Sequence, residues 1–390
     1  MYDTIQNNES EFMKKLFGAY YEKNFINSVP DPSFREFGFG VFRRKIANRN
    51  MFFASSEEVN LFLRQSKPLF FSYSNAYYRH PERTPMTAKE LIKADIIYEF
   101  DADELGLEVE EINGIQWFMS EHLNEAKKQV FRLIDFLEND FGFSSEGLAV
   151  NFSGKAGYHI HLRSKNVQEL NKRARIELVD YLTAHNMDYA NLGYNFESAP
   201  FACPVNKGKW TERLNKGIKE FFNKDAKEIS KITETPAKKV SLLLNEKTKL
   251  FAAMDKGTLL MVEGKKSKLF WEKTLAYVTS KEMSPIDRQT SIDLHKIIRV
   301  PQTLHGDTGF IAKVLSLEEL KSFDPYKEAV VFDSNFSKGF GVDTVKIHIN
   351  KTPKFSILGV NYGPFDNADE ELPLAVAVYL IGKGAATIKQ

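Results

Sequence analysis

The chain has 390 residues, enough for two or three domains or for one large domain carrying an insertion. Lys plus Arg is 53 and Asp plus Glu is 52, so no global basic field exists to draw nucleic acid, and any such contact must come from local patches. The single cysteine, Cys203, excludes an intramolecular disulfide and a cysteine-rich zinc site, and it fits a reducing compartment.

The N-terminus, MYDTIQNNES, is polar and lacks the apolar core of a signal peptide. The longest apolar run, around Leu372–Ile381, is too short to span a bilayer. The expectation is a soluble, intracellular (cytoplasmic) protein that makes no membrane contact.

In chain order, residues 1–30 predict a helix, with apolar spacing through Phe12, Leu16, Tyr20 and Phe25. PDPSFREFGFGVF predicts a strand whose two glycines allow close backbone approach. Arg43, Arg44, Lys45 and Arg49 follow as a basic cluster that also reads as a solvated turn. A short helix over 56–65 and a strand over Leu69–Tyr78 come next. A brief helix over Thr87–Ala94, capped by Thr87, then feeds into IIYEFDADEL at 96–105.

That stretch begins as a buried strand and carries Glu99, Asp101 and Asp103 at alternate positions. Successive strand side chains point to opposite faces, so the spacing puts the three acids together. Clustered carboxylates repel one another unless a cation sits among them. A solvated strand end running into a turn would look similar.

Residues 106–120 read as a connection, and Glu121–Asn139 as an amphipathic helix with Leu123, Ala126, Val130, Leu133, Ile134 and Leu137 on one face. In Gly147–Ser164, two strand-like runs flank Ser153-Gly154-Lys155-Ala156-Gly157, and His159 and His161 share a strand face. A Gly-rich turn lets backbone N–H groups and a lysine approach an anion, although a plain hairpin turn reads the same way. From 165 to 285 helical spacing dominates, through Ile176, Val179, Tyr181, Leu182, Ile218, Phe221 and Phe222. Lysines crowd Lys207–Lys281, as either a solvated helical face or a DNA-contacting one. DRQTSIDLHKIIRVPQTLHGDTGF at 287–310 brings Lys296, Arg299 and His305 together with Asp287 and Asp293. The tail from Phe323 reads as strands and turns ending in a short helix over Ala375–Lys383.

The chain thus holds an acidic group at 99–103, another acid at 287, and phosphate-type donors at Ser153, Lys155, His159, Arg299 and His305. Phosphoryl transfer needs both halves: carboxylates that hold hard cations, and basic donors that hold the triphosphate. Two cations about 3.5–4 Å apart would align the attacking and leaving oxygens. No Gly-x-x-x-x-Gly-Lys-Ser/Thr occurs, which argues against a P-loop enzyme. Residue chemistry alone reaches a metal-dependent enzyme acting on a nucleotide.

The sequence resembles the small catalytic subunit of archaeal and eukaryotic DNA primases, most of all the archaeal form. The resemblance rests on REFGF at 35–39, the acidic stretch at 96–105, SGKAGYHIHL at 153–162, IIRVPQTLHGDTG at 297–309, FDPYKEAV at 323–330 and GPF at 363–365. It implies an α/β (α+β) primase fold of mixed sheets flanked by helices, with a catalytic core over 1–164 and 286–390 and a helical, lysine-rich insertion over 165–285.

Carried onto this sequence, the resemblance implies metal-binding catalytic acids at Glu99, Asp101 and Asp287, with Asp101 and Asp103 as an alternative pair and Asp293 as the lesser candidate for the third acid. Glutamate at position 99 departs from the family's aspartate. Ser153, Lys155 and His159 match the nucleotide motif, in which Ala156 replaces a second basic residue of some members. His159 is also counted with the catalytic set. Arg299 and His305 match triphosphate positions, and Glu36 and Arg49 match residues lining the site. The implied cofactor is Mg²⁺ or Mn²⁺ in a two-metal site. The region 106–123 lacks cysteines, so no structural zinc is expected. The implied partners are a primase large subunit, a single-stranded DNA template and nucleoside triphosphates. The implied activity is de novo synthesis of RNA primers, with DNA primers also open. The alternatives are a weakly catalytic template- and partner-binding subunit, which Glu99 and Ala156 motivate, and a repair-type primase-polymerase.

Overall fold

Short runs of aromatic and β-branched residues, punctuated by glycine, build two antiparallel four-stranded sheets. The structure, a computed structural model, describes residues 2–144, 147–205, 208–262 and 267–389, with backbone only for 2–7. Lys207, Lys265 and Lys266 of the lysine-rich stretch lie outside the described residues. The strands are β1 (Phe37–Val41), β2 (Arg44–Met51), β3 (Phe70–Ser74), β4 (Ile96–Asp101), β5 (Leu148–Phe152), β6 (Gly157–Leu162), β7 (Ile297–Arg299) and β8 (Val314–Leu315). The first sheet has the order β7-β3-β1-β2 and the second β8-β5-β6-β4. Helices are interspersed with these strands along the chain and the sheets are antiparallel, so the fold is α+β.

Two compact units divide the chain. One holds 1–134, 144–176 and 286–390; the other holds 135–143 and 177–285. These bounds differ from the expected insertion over 165–285: the helix Lys172–Leu182 is divided at 176/177, and 135–143 joins the second unit. The second unit is mainly helical, with Trp210, Leu214, Ile218 and Phe221 buried along one face of Lys209–Phe221. This apolar face repeats at helical spacing, so it buries as one stripe.

In the first unit a third sheet pairs Thr344–Thr352 with Phe365–Pro373 and with Ala386–Ile388. Beside it in sequence, the helix Leu374–Lys383 is apolar all round, and Leu374 through Gly382 are buried. An all-apolar helix of this length belongs in a protein core. Among the described residues no helix is long and apolar enough to cross a membrane.

The entry to β4 is fixed by charge as well as by packing. Asp95, fully buried, accepts from the guanidinium of fully buried Arg35 at 2.8 Å and from Gln168 Nε2 at 2.8 Å. Arg175 donates to the carbonyls of Asp95 and Ala94 at 3.0 and 2.6 Å. Arg35 also lies 3.3 Å from the Tyr77 ring centroid. A buried ion pair is tolerated only when its remaining donors and acceptors are met, and these are met by backbone carbonyls and Gln168.

Several expected elements differ in the structure. The N-terminal helix is Tyr2–Lys23, and Phe25 lies beyond it, 52% exposed. The expected strand Leu69–Tyr78 divides at Asn75, whose N–H donates to the Lys296 carbonyl while its C=O accepts from Asp95. The two halves therefore join different partners. The expected helix Thr87–Ala94 is a 3₁₀ turn, Met86–Lys89, followed by a strand, Leu91–Ala94, paired with Ala76–Tyr78. Glu90, at φ 55°, stops the turn, and strand pairing then outweighs weak local helix propensity. Residues 110–117 form a hairpin turning at Asn113-Gly114, both left-handed, a dipeptide that signals such turns. The tail continues past its helix into the strand Ala386–Ile388.

Candidate active site

The acidic side is built on the β4–β6 pair, in which Gly157 faces Asp101 and His159 faces Glu99. Only glycine fits at 157: a Cβ there would come within 2.2 Å of both the Asp101 carboxylate and the Phe100 carbonyl. The glycine lets the two strands close at the position that carries the acid.

The strand ends at Asp101, where the Glu104 N–H donates to the Asp101 carbonyl at 3.1 Å. The three acids therefore do not share one strand face. Asp103 lies in the turn and is exposed. Glu104, absent from the expected site, approaches the cluster: burial, then Asp287, Asp103 and Glu99, raise its carboxyl.

Asp287 caps the short helix Arg288–Ile292 by accepting from the Gln289 N–H at 2.9 Å. Thr290, one turn in, links the two acidic segments. Its hydroxyl lies 2.9 Å from Glu99 Oε2 and also contacts Asp287 Oδ2. Lys296 Nζ donates to Glu99 Oε2 at 2.6 Å and to the Thr290 hydroxyl. Asp293 instead accepts from the His295 N–H at 2.8 Å, within its own turn. The structure thus joins Asp287, not Asp293, to Glu99. Neither Thr290 nor Glu104 was flagged by sequence; an isolated threonine carries no pattern.

Asp101 shows what the cluster does electrostatically. Burial first, and then the charges of Glu99, Asp103 and Glu104, push its carboxyl up to about 7. Among the described residues no three acids, histidines or cysteines are close enough together to form a metal site as they stand. The donor chemistry nevertheless fits a hard divalent cation. Glu99, Asp101 and Asp287 offer only oxygens, and their mutual repulsion is the penalty a cation relieves.

The basic side is built from two turns that touch. In the first, Ser153 to Gly157, the Ser153 hydroxyl accepts from the Gly157 and Lys155 N–H groups at 3.1 and 3.4 Å. In the second, His305 to Gly309, the Thr308 hydroxyl donates to the Gly154 carbonyl at 2.6 Å. Gly154, at φ 86°, brings its backbone so close that a Cβ would meet the His305 Cβ at 2.9 Å. This contact sets Lys155 beside Asp307, with Nζ to carboxylate 2.9 Å.

His305 is buried, and its Nδ1 accepts from the Asp307 N–H at 3.1 Å. Burial, then the cations Arg299, Lys155, Lys45 and Lys383, hold its pKa well below the usual value. The neutral ring must therefore carry its proton on Nε2, as a donor. Arg299, on β7, donates to the Leu304 carbonyl at 3.3 Å and lies 5.3 Å from the Phe70 ring centroid. Burial lowers its pKa to about 10, which leaves it cationic at neutral pH.

His159 connects the two sides. Its Nε2 is 3.7 Å from Glu99 Oε1, its Nδ1 is buried without a partner, and burial drops its pKa to about 4 despite the carboxylate. His161 is structural by contrast, with its ring nitrogens 2.9 Å from Asn151 Oδ1 and 3.4 Å from the Tyr73 hydroxyl. Glu36 is fully buried, accepting from Arg49 Nε at 2.8 Å, with Lys89 Nζ 3.4 Å from its other oxygen. The structure thus makes Glu36 the holder of Arg49.

Carboxylates on β4 beside the His159 imidazole of the paired strand β6, with Lys155 in the turn before β6, define a class: enzymes of phosphoryl transfer. The sequence profile of the DNA primase small subunit matches residues 100–317, more than half of the chain. The chain belongs to the DNA primase small subunit family, whose members are enzymes that make RNA primers.

Curated relatives extend the similarity along the chain. The DNA primase small subunit PriS of Methanothrix thermoacetophila is 28% identical, covering 98% of this chain and 100% of its own. The protein of the same name from Methanosarcina barkeri is 29% identical, over 98% and 97%. That of Halorubrum lacusprofundi is 27% identical, over 96% and 97%.

Proposed function

We propose that the chain is the catalytic subunit of a DNA primase that joins nucleoside triphosphates on a single-stranded DNA template through the site described above. The observation that carries this reading is His159 set between the two halves, opposite Glu99 in strand register and 3.7 Å from its carboxylate. Glu99, Asp101 and Asp287 would hold Mg²⁺ or Mn²⁺, which when bound supplies charge neutralisation at the reacting phosphate and at the attacking hydroxyl. Arg299 and Lys155 give fixed positive charge to the triphosphate, and His305 gives an Nε2–H donor. Lys155 must leave Asp307 to do so, and an anionic phosphate is the stronger competitor for its ammonium. Ser153 closes the turn that presents the Lys155 backbone. Arg49, held by Glu36, lines the same sheet as Arg299.

Arg299→Ala tests the nucleotide half. Losing one charge-assisted contact costs on the order of 1.5–3 kcal/mol, or roughly ten- to hundredfold in kcat/KM for nucleotide. Template affinity, read by fluorescence anisotropy with an oligonucleotide, should move much less. Unchanged nucleotide kinetics in a folded Arg299→Ala protein would reject the assignment.

A helical large subunit is proposed as the partner, bound away from the acidic strand, in keeping with a near-neutral chain whose own template affinity is modest. Co-expression should give a complex that co-elutes in size exclusion. A chain that primes at full rate alone and never co-elutes would sink this part. Replication primers place the protein in the cell interior, with the template.

A further inference from the structure

Next to Lys155, on the side of Asp307, lies a cavity of about 480 Å³ that shares only Lys155 with the residues assigned to the triphosphate. Its walls bring Arg43, Lys155 and Lys383 together with Asp307, Glu111 and Gln116. Lys155 is paired with Asp307 at 2.9 Å. Among the described residues, neither Arg43 nor Lys383 has a carboxylate within ion-pairing distance.

Lys383, the last residue of its helix, donates to the Gln116 carbonyl at 2.7 Å, with its ammonium 5.0 Å from the Trp117 ring centroid. Burial, then the like charge of Lys155, lower its pKa to about 8 against the opposing charge of Asp307. Arg43 comes from the β1–β2 turn and packs on Gly384, where a Cβ would lie 3.3 Å from Nη2. Gly114 and Gly384, both left-handed at φ 75° and 80°, add no side chain to the cavity wall, and the Gly384 N–H is already given to the Ile381 carbonyl at 3.0 Å. Two cations without a carboxylate at ion-pairing distance, Arg43 and Lys383, in one cavity suit an oxyanion, and the volume suits a small ligand.

We propose that this cavity is a binding site for pyrophosphate, the co-product of nucleotide joining, received from the triphosphate residues through Lys155. The cations of both sites act on one group: Arg299, Lys155, Lys45 and Lys383 all hold the His305 pKa down. When a 3′-oxygen bonds to the α-phosphorus, the α–β bridging oxygen leaves with both outer phosphates. That anion carries the charge that Lys383 and Arg43 lack a partner for, and Lys155 borders both sites. The proposal rests on the nucleotide reading above.

The test uses the full chain with inorganic pyrophosphate, by calorimetry and as an inhibitor of primer synthesis. The double variant Lys383→Met/Arg43→Gln is expected to weaken pyrophosphate binding at least tenfold, and at least fivefold more than it weakens nucleotide binding. Lys383→Arg should restore most of the affinity. Arg43→Gln alone, at an exposed turn, serves should the double variant fail to fold; a threefold or greater loss is expected there. Pyrophosphate binding within twofold of the parent in folded variants overturns the proposal, as does a parent chain that binds no pyrophosphate. So does a tenfold loss of oligo-dT binding with pyrophosphate unaffected, which would assign the cavity to the template backbone. Unchanged nucleotide kinetics in Arg299→Ala would instead remove the nucleotide reading, a separate result.

Discussion

Asp101→Asn is expected to abolish nucleotide incorporation while making the folded chain more stable. The two effects have one cause. Burial and the charges of Glu99, Asp103 and Glu104 push the Asp101 carboxyl up to about 7, so its ionised form is disfavoured in the fold. An isosteric amide removes that repulsion, and the melting temperature should rise. The same change removes a charged oxygen donor from the acidic cluster, and losses from deleting one such electrostatic group run to about 10²–10³-fold or more. Lost activity with a lowered melting temperature would point to a structural role instead.

Glu99→Gln is expected to be as inactive, because Glu99 is the acid tied through Thr290 to Asp287. Asp103→Asn should keep most activity, since Asp103 sits in the exposed turn after β4. A dead Asp103→Asn beside an active Glu99→Gln would move the pair to Asp101 and Asp103. A fully active Asp287→Asn would break the two-segment site itself.

The largest effect on stability is expected from Asp95→Ala. Arg35 would then lie fully buried without its carboxylate, and Arg163, 3.6 Å from Asp95, would lose the same partner. Removing one member of a buried pair costs about 3–5 kcal/mol, a large share of a typical 5–15 kcal/mol. Chemical denaturation should show the midpoint falling with an unchanged slope. The double variant Arg35→Met/Asp95→Leu should recover part of the loss, because the fully buried Arg35 charge is removed with its partner, while Arg163 still lacks Asp95. A folded Asp95→Ala protein within 1 kcal/mol of the parent would contradict this account of the β4 entry.

Much of the architecture was legible in local pattern. Helical spacing gave away Ser120–Asn139, and apolar runs flanking Ser153-Gly-Lys-Ala-Gly gave away β5 and β6. The motifs that named the family were equally local, because turn glycines and short polar runs carry their chemistry within a few residues. Pattern failed where long-range pairing outweighed propensity. Leu91–Ala94 is a strand because Ala76–Tyr78 lies beside it, and nothing within residues 87–94 announces that neighbour.

The sequence by itself determined which residue types were present, and in what order: acids at 99, 101 and 287, and donors at 153, 155, 159, 299 and 305. Only the tertiary structure decided which of them meet. It ended β4 at Asp101 and so took Asp103 off the strand face. It chose Asp287 over Asp293, through the Thr290 hydroxyl. It turned Glu36 inward onto Arg49 and Lys89, and it brought Lys383 from the C-terminal helix to Lys155. These are contacts between segments tens to hundreds of residues apart. They follow from strand register and from the packing of two turns, neither of which is encoded in any single stretch of the chain.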